Sequence, residues 1–155
     1  MATKRSAGIL LFRRDGAAIQ VLLAHPGGPY WARRDEGAWS IPKGELEDGE
    51  EPLICALREL DEELGPDCAL AGVESFELGS VRQRAGKIVE AWGAEGRFDP
   101  AALESNTFSL EWPPRSGNQK EFPEVDRAEW FDPALAQQKI IPAQAPFIDR
   151  LLERL

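Results

Sequence analysis

Three glutamates, Glu59, Glu62 and Glu63, stand at i, i+3 and i+4 in the stretch PLICALRELDEEL. If that stretch is helical, their carboxylates leave from one face, where like charges at this spacing oppose one another. Such a face calls for a cation or for full solvation. Just upstream, Gly44 and Gly49 let the backbone turn tightly and bring main-chain carbonyls and Glu50 toward the helix. Carboxylates and carbonyls form an all-oxygen donor set, which suits a hard ion such as magnesium or manganese. Several such oxygens can hold more than one ion, the arrangement that clamps both sides of a phosphoryl displacement. Arg58 adds a guanidinium able to grip one carboxylate with two hydrogen bonds.

The elements that position these groups follow from local pattern. Proline at the first turn and Gly65-Pro66 at the end predict a helix over Pro52–Leu64. At 100° per residue Leu53, Ala56, Leu57, Leu60 and Leu64 gather on the side that a core would cover. Residues 6–13 and 18–24 read as two strands around Asp15-Gly16, a hairpin. HPGGP then breaks regular structure, and the loop YWARRDEGAW carries aromatics beside adjacent arginines. Short strands are expected at 39–42 and 129–131, longer ones at 73–83 and 87–97 around Ala85-Gly86, and an amphipathic helix at 143–155. Residues 99–122 read as irregular, broken by WPP and SGN.

Composition narrows the class. A chain of 155 residues suits one domain with its own core. A net charge of −9 argues against general nucleic-acid or membrane-surface binding. Two cysteines, Cys55 and Cys68, are too few for a disulfide framework, and no metal spacing surrounds them. The expectation is a cytoplasmic protein, monomer or homodimer, with no signal peptide and no apolar stretch of membrane-spanning length.

The run from Gly44 to Pro66 resembles the Nudix box, G-x5-E-x7-R-E-U-x-E-E-x-G-U, with U a bulky aliphatic residue. Gly44, Glu50, Arg58, Glu59, Leu60, Glu62, Glu63 and Gly65 fall in register, and only Pro66 departs from the pattern. The resemblance implies a single Nudix hydrolase domain over 1–155, folded as an α/β/α sandwich with a mixed central sheet, and Mg2+ as cofactor with Mn2+ a possible substitute. It implies metal ligation by Glu59, Glu62 and Glu63. Glu50 would ligate directly or through water, or else cap the helix. Lys43 would contribute its backbone carbonyl, and its side chain a phosphate contact or only a solvated charge.

In relatives a further acid often lies six residues before a strand aromatic, which selects Glu124, ahead of Trp130, over Glu121. His25, the sole histidine, is either an acid or phosphate ligand or a structural turn residue. Cys55 is expected to pack rather than ligate. Tyr30, Trp31 and Trp39 could stack on a base, with core packing equally open for Trp39. Arg33, Arg34, Arg82, Arg84 and Lys87 could meet phosphates or remain ordinary surface.

The implied chemistry is in-line attack of water on a phosphoanhydride. Its proton passes to a box glutamate or to Glu124, and Arg58 holds the acids in place. AGILLFRR and WSIPKGE resemble the opening of diadenosine tetraphosphate hydrolases, although Glu45 stands where their usual histidine would be. A nucleoside triphosphate pyrophosphohydrolase is the close alternative, and a nucleotide-binding regulatory module without turnover the one from another class.

Overall fold

Strand β1 (Arg5–Asp15) is apolar along most of its length because both of its faces are covered. Leu10 and Phe12 point into one core, while Ala7, Ile9 and Leu11 point into the other. The computed structural model describes residues 4–70 and 74–155. In it β1 pairs with β2 (Ala18–Pro26) and β3 (Lys43–Glu45) antiparallel, and with β6 (Ile88–Arg97) parallel. The sheet continues through β4 (Ala69–Leu70) and β5 (Phe76–Arg82), both on β6, and through β9 (Val125–Phe131) on β2. The result is a mixed seven-stranded sheet.

Helix α1 (Pro52–Leu64) covers one face with Cys55, Ala56, Leu60 and Leu64. Helices α2 (Pro133–Lys139) and α3 (Ala145–Arg154) cover the other, where Phe147, Ile148 and Leu151 are fully buried. This is an α/β sandwich. Helix α1 has the predicted bounds, and the Gly65 N–H closes its last turn on the Asp61 carbonyl.

Three expectations are corrected, and one helix is added. Residues 99–122 are not irregular throughout: β7 (Thr107–Glu111) and β8 (Gln119–Pro123) form a separate antiparallel hairpin. The breakers WPP and SGN only make its tip, and Phe108 faces Phe122 across it. The 39–42 stretch makes isolated bridges to Ala24 and Ile140 rather than a strand, and the strand instead follows at β3. Strand β9 starts at Val125, well before residue 129. Helix α2 was not expected, although Asp132 caps it through the Leu135 N–H and Pro133 opens it. The expected start of the 73–83 strand, Val73, lies outside the described residues.

Candidate active site

The box loop and α1 interlock through a missing side chain. A Cβ on Gly44 would fall 2.0 Å from Glu59 Cδ, so the carboxyl of Glu59 lies directly on the Gly44 backbone. One turn further on, Glu63 Oε2 accepts the Lys43 N–H at 2.7 Å, which ties β3 to the end of α1. Arg58 stands between the remaining acids. Its Nε and Nη2 donate to the two oxygens of Glu50 at 2.8 and 2.9 Å, and its Nη1 donates to Glu59 at 2.9 Å and Glu62 at 3.0 Å. Glu50 also accepts the Glu47 N–H, so both its oxygens are engaged, and the helix N-cap is Glu51 without a side-chain bond. The capping alternative for Glu50 is therefore not what the structure contains. Cys55 is buried in the core, with Sγ 3.4 Å from the Gly44 carbonyl.

The electrostatics divide the acids into two groups. Hydrogen bonds from Arg58 hold the Glu50 carboxyl down at about 2. Burial pushes Glu63 up to about 8 against the opposing bond from Lys43, and the charges of Glu59 and Glu124 add to the rise. Glu59 is raised by burial and then by Glu62, and Glu124 by partial burial and then by Glu62. Glu59, Glu62, Glu63 and Glu124 thus share one field although Glu124 comes from a separate segment, just before β9. Burial lowers the Lys43 ammonium.

Among the described residues, no three acid, histidine or cysteine side chains converge as a ready-made cage; Arg58 occupies part of the space between the acids. The donor chemistry nevertheless fits a hard divalent ion: the four acids offer only oxygen, and the charges of their neighbours raise the cost of ionising Glu59, Glu63 and Glu124.

Glu124 reaches this field because the backbone before β9 is pinned. Its N–H donates to the Asn106 carbonyl at 2.8 Å, and its own carbonyl accepts the Gly27 N–H at 2.9 Å. Only glycine fits at 27, where a Cβ would sit 1.9 Å from the Pro123 carbonyl oxygen. Glu121 instead lies on the hairpin opposite Ser109, exposed. A cleft of about 190 Å³ lies beside the acids, lined by Trp31, Ser40, Lys43, Glu63, Glu124 and Ile141.

Of the aromatic candidates, Trp31 lines this cleft and Tyr30 stands exposed next to it, edge-on to Trp112 of the hairpin at 5.4 Å. Trp39 is corrected: it is 1% exposed, packs edge-on against His25 and Phe131, and its Nε1 donates to Asp35, so its ring has no free face for a base. Arg34 lies over the Trp31 ring at 5.4 Å, and Arg33 is exposed beside it. Arg82, Arg84 and Lys87 are exposed around the β5–β6 turn. His25 is fully buried, between Asp126 and the Arg34 carbonyl. Sequence reasoning met Asp126 only as one of four acids in EFPEVDRAEWF, with Glu121, Glu124 and Glu129, and Trp112 only as a breaker. The alternation in TFSLE and QKEFP on either side of the breakers was the available signal for the hairpin that carries Trp112.

Comparison with known proteins agrees with this architecture. The NUDIX domain family matches residues 2–151. The chain belongs to the Nudix hydrolase superfamily. It is 38% identical over 100 residues to the asymmetrical bis(5'-nucleosyl)-tetraphosphatase of Sus scrofa, a match spanning 59% of this chain and 64% of that protein. It is 29% identical to the RNA pyrophosphohydrolase of Rhodospirillum rubrum over 92% of this chain and 86% of that one. Among solved structures, the NUDIX domain of Shewanella oneidensis NrtR with ADP-ribose superposes with a TM-score of 0.67 at 17% identity, covering 99% of this chain and 89% of that one. The C. elegans Ap4A hydrolase superposes at 0.61 and 19% identity, covering 96% of each chain.

Two outcomes follow from this geometry. Glu63 holds its proton up to about 8 when folded but only to its ordinary 4.5 when unfolded, so the folded state binds more protons between those values. The metal-free protein should therefore lose stability as pH rises through that window, and Glu63→Gln should flatten the loss. Thermal denaturation in chelator across the window checks this; an equally steep fall in the variant contradicts it. Glu124→Gln should also lower turnover well below that of Glu121→Gln in steady-state assays, and the reverse order would detach Glu124 from the site.

Proposed function

We propose that this chain is a single-domain, divalent-metal-dependent Nudix hydrolase that cleaves a phosphoanhydride bond in a nucleoside polyphosphate, with a dinucleoside polyphosphate such as diadenosine tetraphosphate preferred. The observation that carries the reading is the common field of Glu59, Glu62, Glu63 and Glu124 beside a cleft that also presents Lys43 and Trp31. Glu59, Glu62, Glu63 and Glu124 with the Lys43 carbonyl would hold Mg2+, or Mn2+ in its place, which when bound would neutralise the phosphate chain and polarise the attacked phosphorus.

The remaining work falls to the protein. Glu50, saturated by Arg58, serves as the anchor that keeps the guanidinium among the acids. Arg58 holds Glu59 and Glu62 in fixed directions. Glu124, with its pKa raised, is suited to take the proton of the attacking water, a contribution worth roughly 10²–10⁴-fold. Lys43, which lines the cleft with Glu63, supplies an ammonium for a phosphate. Trp31 and Tyr30 offer faces for a nucleobase, and Arg33 and Arg34 lie beside them for the distal phosphates.

A second reading, removal of phosphates from a 5'-triphosphate on a nucleotide or RNA, is favoured by the length of the match to the R. rubrum RNA pyrophosphohydrolase. The net charge of −9 weighs against a long RNA footprint. Among the described residues no helix is long and apolar enough to cross a membrane; a cytoplasmic monomer or homodimer working on a small nucleotide is the setting we propose.

The test is kcat/KM across diadenosine tetraphosphate, nucleoside triphosphates, 5'-triphosphorylated RNA and ADP-ribose at fixed magnesium. Diadenosine tetraphosphate should lead, and joint Arg33→Ala and Arg34→Ala should lower its use about tenfold, near 1.4 kcal/mol, with less effect on ADP-ribose. ADP-ribose or the RNA leading by that margin would overturn the substrate choice, and no turnover of any would return the protein to a binding role.

A further inference from the structure

His25 is fully buried at the end of β2, yet each ring nitrogen has a partner from a different segment. Nδ1 lies 2.7 Å from Asp126 Oδ1 and Nε2 lies 2.6 Å from the Arg34 carbonyl oxygen. The Arg34 carbonyl can only accept, so Nε2 donates to it, while Nδ1 faces the Asp126 carboxylate. The β2–β9 ladder shifts register at this point: His25 pairs with Arg127 but Pro26 with Val125, leaving Asp126 as the extra residue of a bulge. Bulges re-aim side chains, and this one turns the Asp126 carboxylate onto the histidine two residues after Glu124. The Trp39 ring closes the pocket edge-on at 5.0 Å, and Arg127 lies over its face with Nε 3.9 Å from Asp126 Oδ1.

We infer that the His25–Asp126 pair is a positioning device that sets the Tyr30–Arg34 segment at a fixed distance from Glu124. Apart from Tyr30, which packs edge-on against Trp112 of the β7–β8 hairpin, the segment is otherwise held at its two ends. Gly27 donates to the Glu124 carbonyl, and Asp35 is bound by Trp39 Nε1 and the Lys139 ammonium. Between those ends the side chains of Trp31, Arg33 and Arg34 are exposed, and His25 is the contact that ties the Arg34 backbone to β9. Trp31 and Glu124 line the same cleft, so the distance between segment and acid sets how long a phosphate chain fits between base and cleavage point. The substrate clause of this inference rests on the polyphosphate reading above; the positioning clause does not.

Asp126 is the better residue to test, because its side chain is 30% exposed and its removal leaves no cavity in the core. Asp126→Ala removes the acceptor. Asp126→Asn preserves the contact, because an amide can donate to Nδ1 while Nε2–H still reaches Arg34. Hydrogen exchange of amides 28–36 and kinetics on diadenosine tetraphosphate and ADP-ribose are measured for the wild type and both variants, with thermal melting as the folding control.

Losing one charge-assisted hydrogen bond should speed exchange in the segment about tenfold in Asp126→Ala, with β1 unchanged, and Asp126→Asn should restore it. KM for the tetraphosphate should rise by a similar factor in Asp126→Ala, with kcat within about twofold and ADP-ribose less affected. Unchanged exchange in Asp126→Ala, or no rescue by Asp126→Asn, overturns the positioning clause. Altered exchange with kcat rather than KM lost, or equal loss on both substrates, overturns the substrate clause. A wild type inactive on polyphosphates sinks the proposed function while exchange still decides the positioning.

Discussion

The repulsion among carboxylates on one face of α1 is the constraint from which the rest of the structure follows. Three acids within two turns oppose helix formation, and burial of Glu63 and Glu59 adds a desolvation cost. The chain offsets this with neighbours of opposite sign or donor character: Arg58 against Glu50, Glu59 and Glu62, and the Lys43 N–H against Glu63. Each compensation needs a specific backbone. Gly44 has to lack a side chain for Glu59 to lie where Arg58 can reach it, and β3 has to pair with β1 for Lys43 to face the end of α1.

The sheet supplies what the site consumes. Because β1 and β2 are buried on both faces, α1 is packed by Cys55, Ala56, Leu60 and Leu64 whatever its outer face costs. Burying a leucine such as Leu60 or Leu64 stabilises by roughly 1.5–3 kcal/mol, more than a single unfavourable charge pair on a helix surface removes. The opposite face carries its own core around Phe147, Ile148 and Leu151. The segments from the Tyr30 loop and the start of β9 can then be arranged around the acids without being needed to hold the fold together.

Most of the site's own helix was legible in the sequence, because a 3.6-residue apolar stripe, Pro52 and Gly65 all point to the same element. The bidentate grip of Arg58 was legible as a possibility, whereas its choice of Glu50 depends on the loop closing at Glu47. Trp39 shows the limit. An aromatic between a charged loop and a glycine turn reads equally as a stacking face or as core, and only the arrival of Phe131 and His25 from other strands decides for core. The β7–β8 hairpin was hidden by its own tip, since proline and glycine breakers mark a turn without saying whether strands flank it. Asp126 could not be assigned to His25 because the bulge that aims it depends on pairing between residues about a hundred positions apart.

The acids around Glu63 are left under-neutralised by the protein alone, and the metal dependence proposed above has a divalent cation complete them. Proton release on magnesium addition tests it most directly, by calorimetry in buffers of different ionisation enthalpy. A cation that draws Glu63 from its raised pKa of about 8 into the ionised form has to displace the proton. Magnesium should bind saturably with net proton release at about pH 7 that vanishes by about pH 9.5, where Glu63 is already ionised. Binding without proton release at about pH 7, or no saturable binding at all, would contradict it.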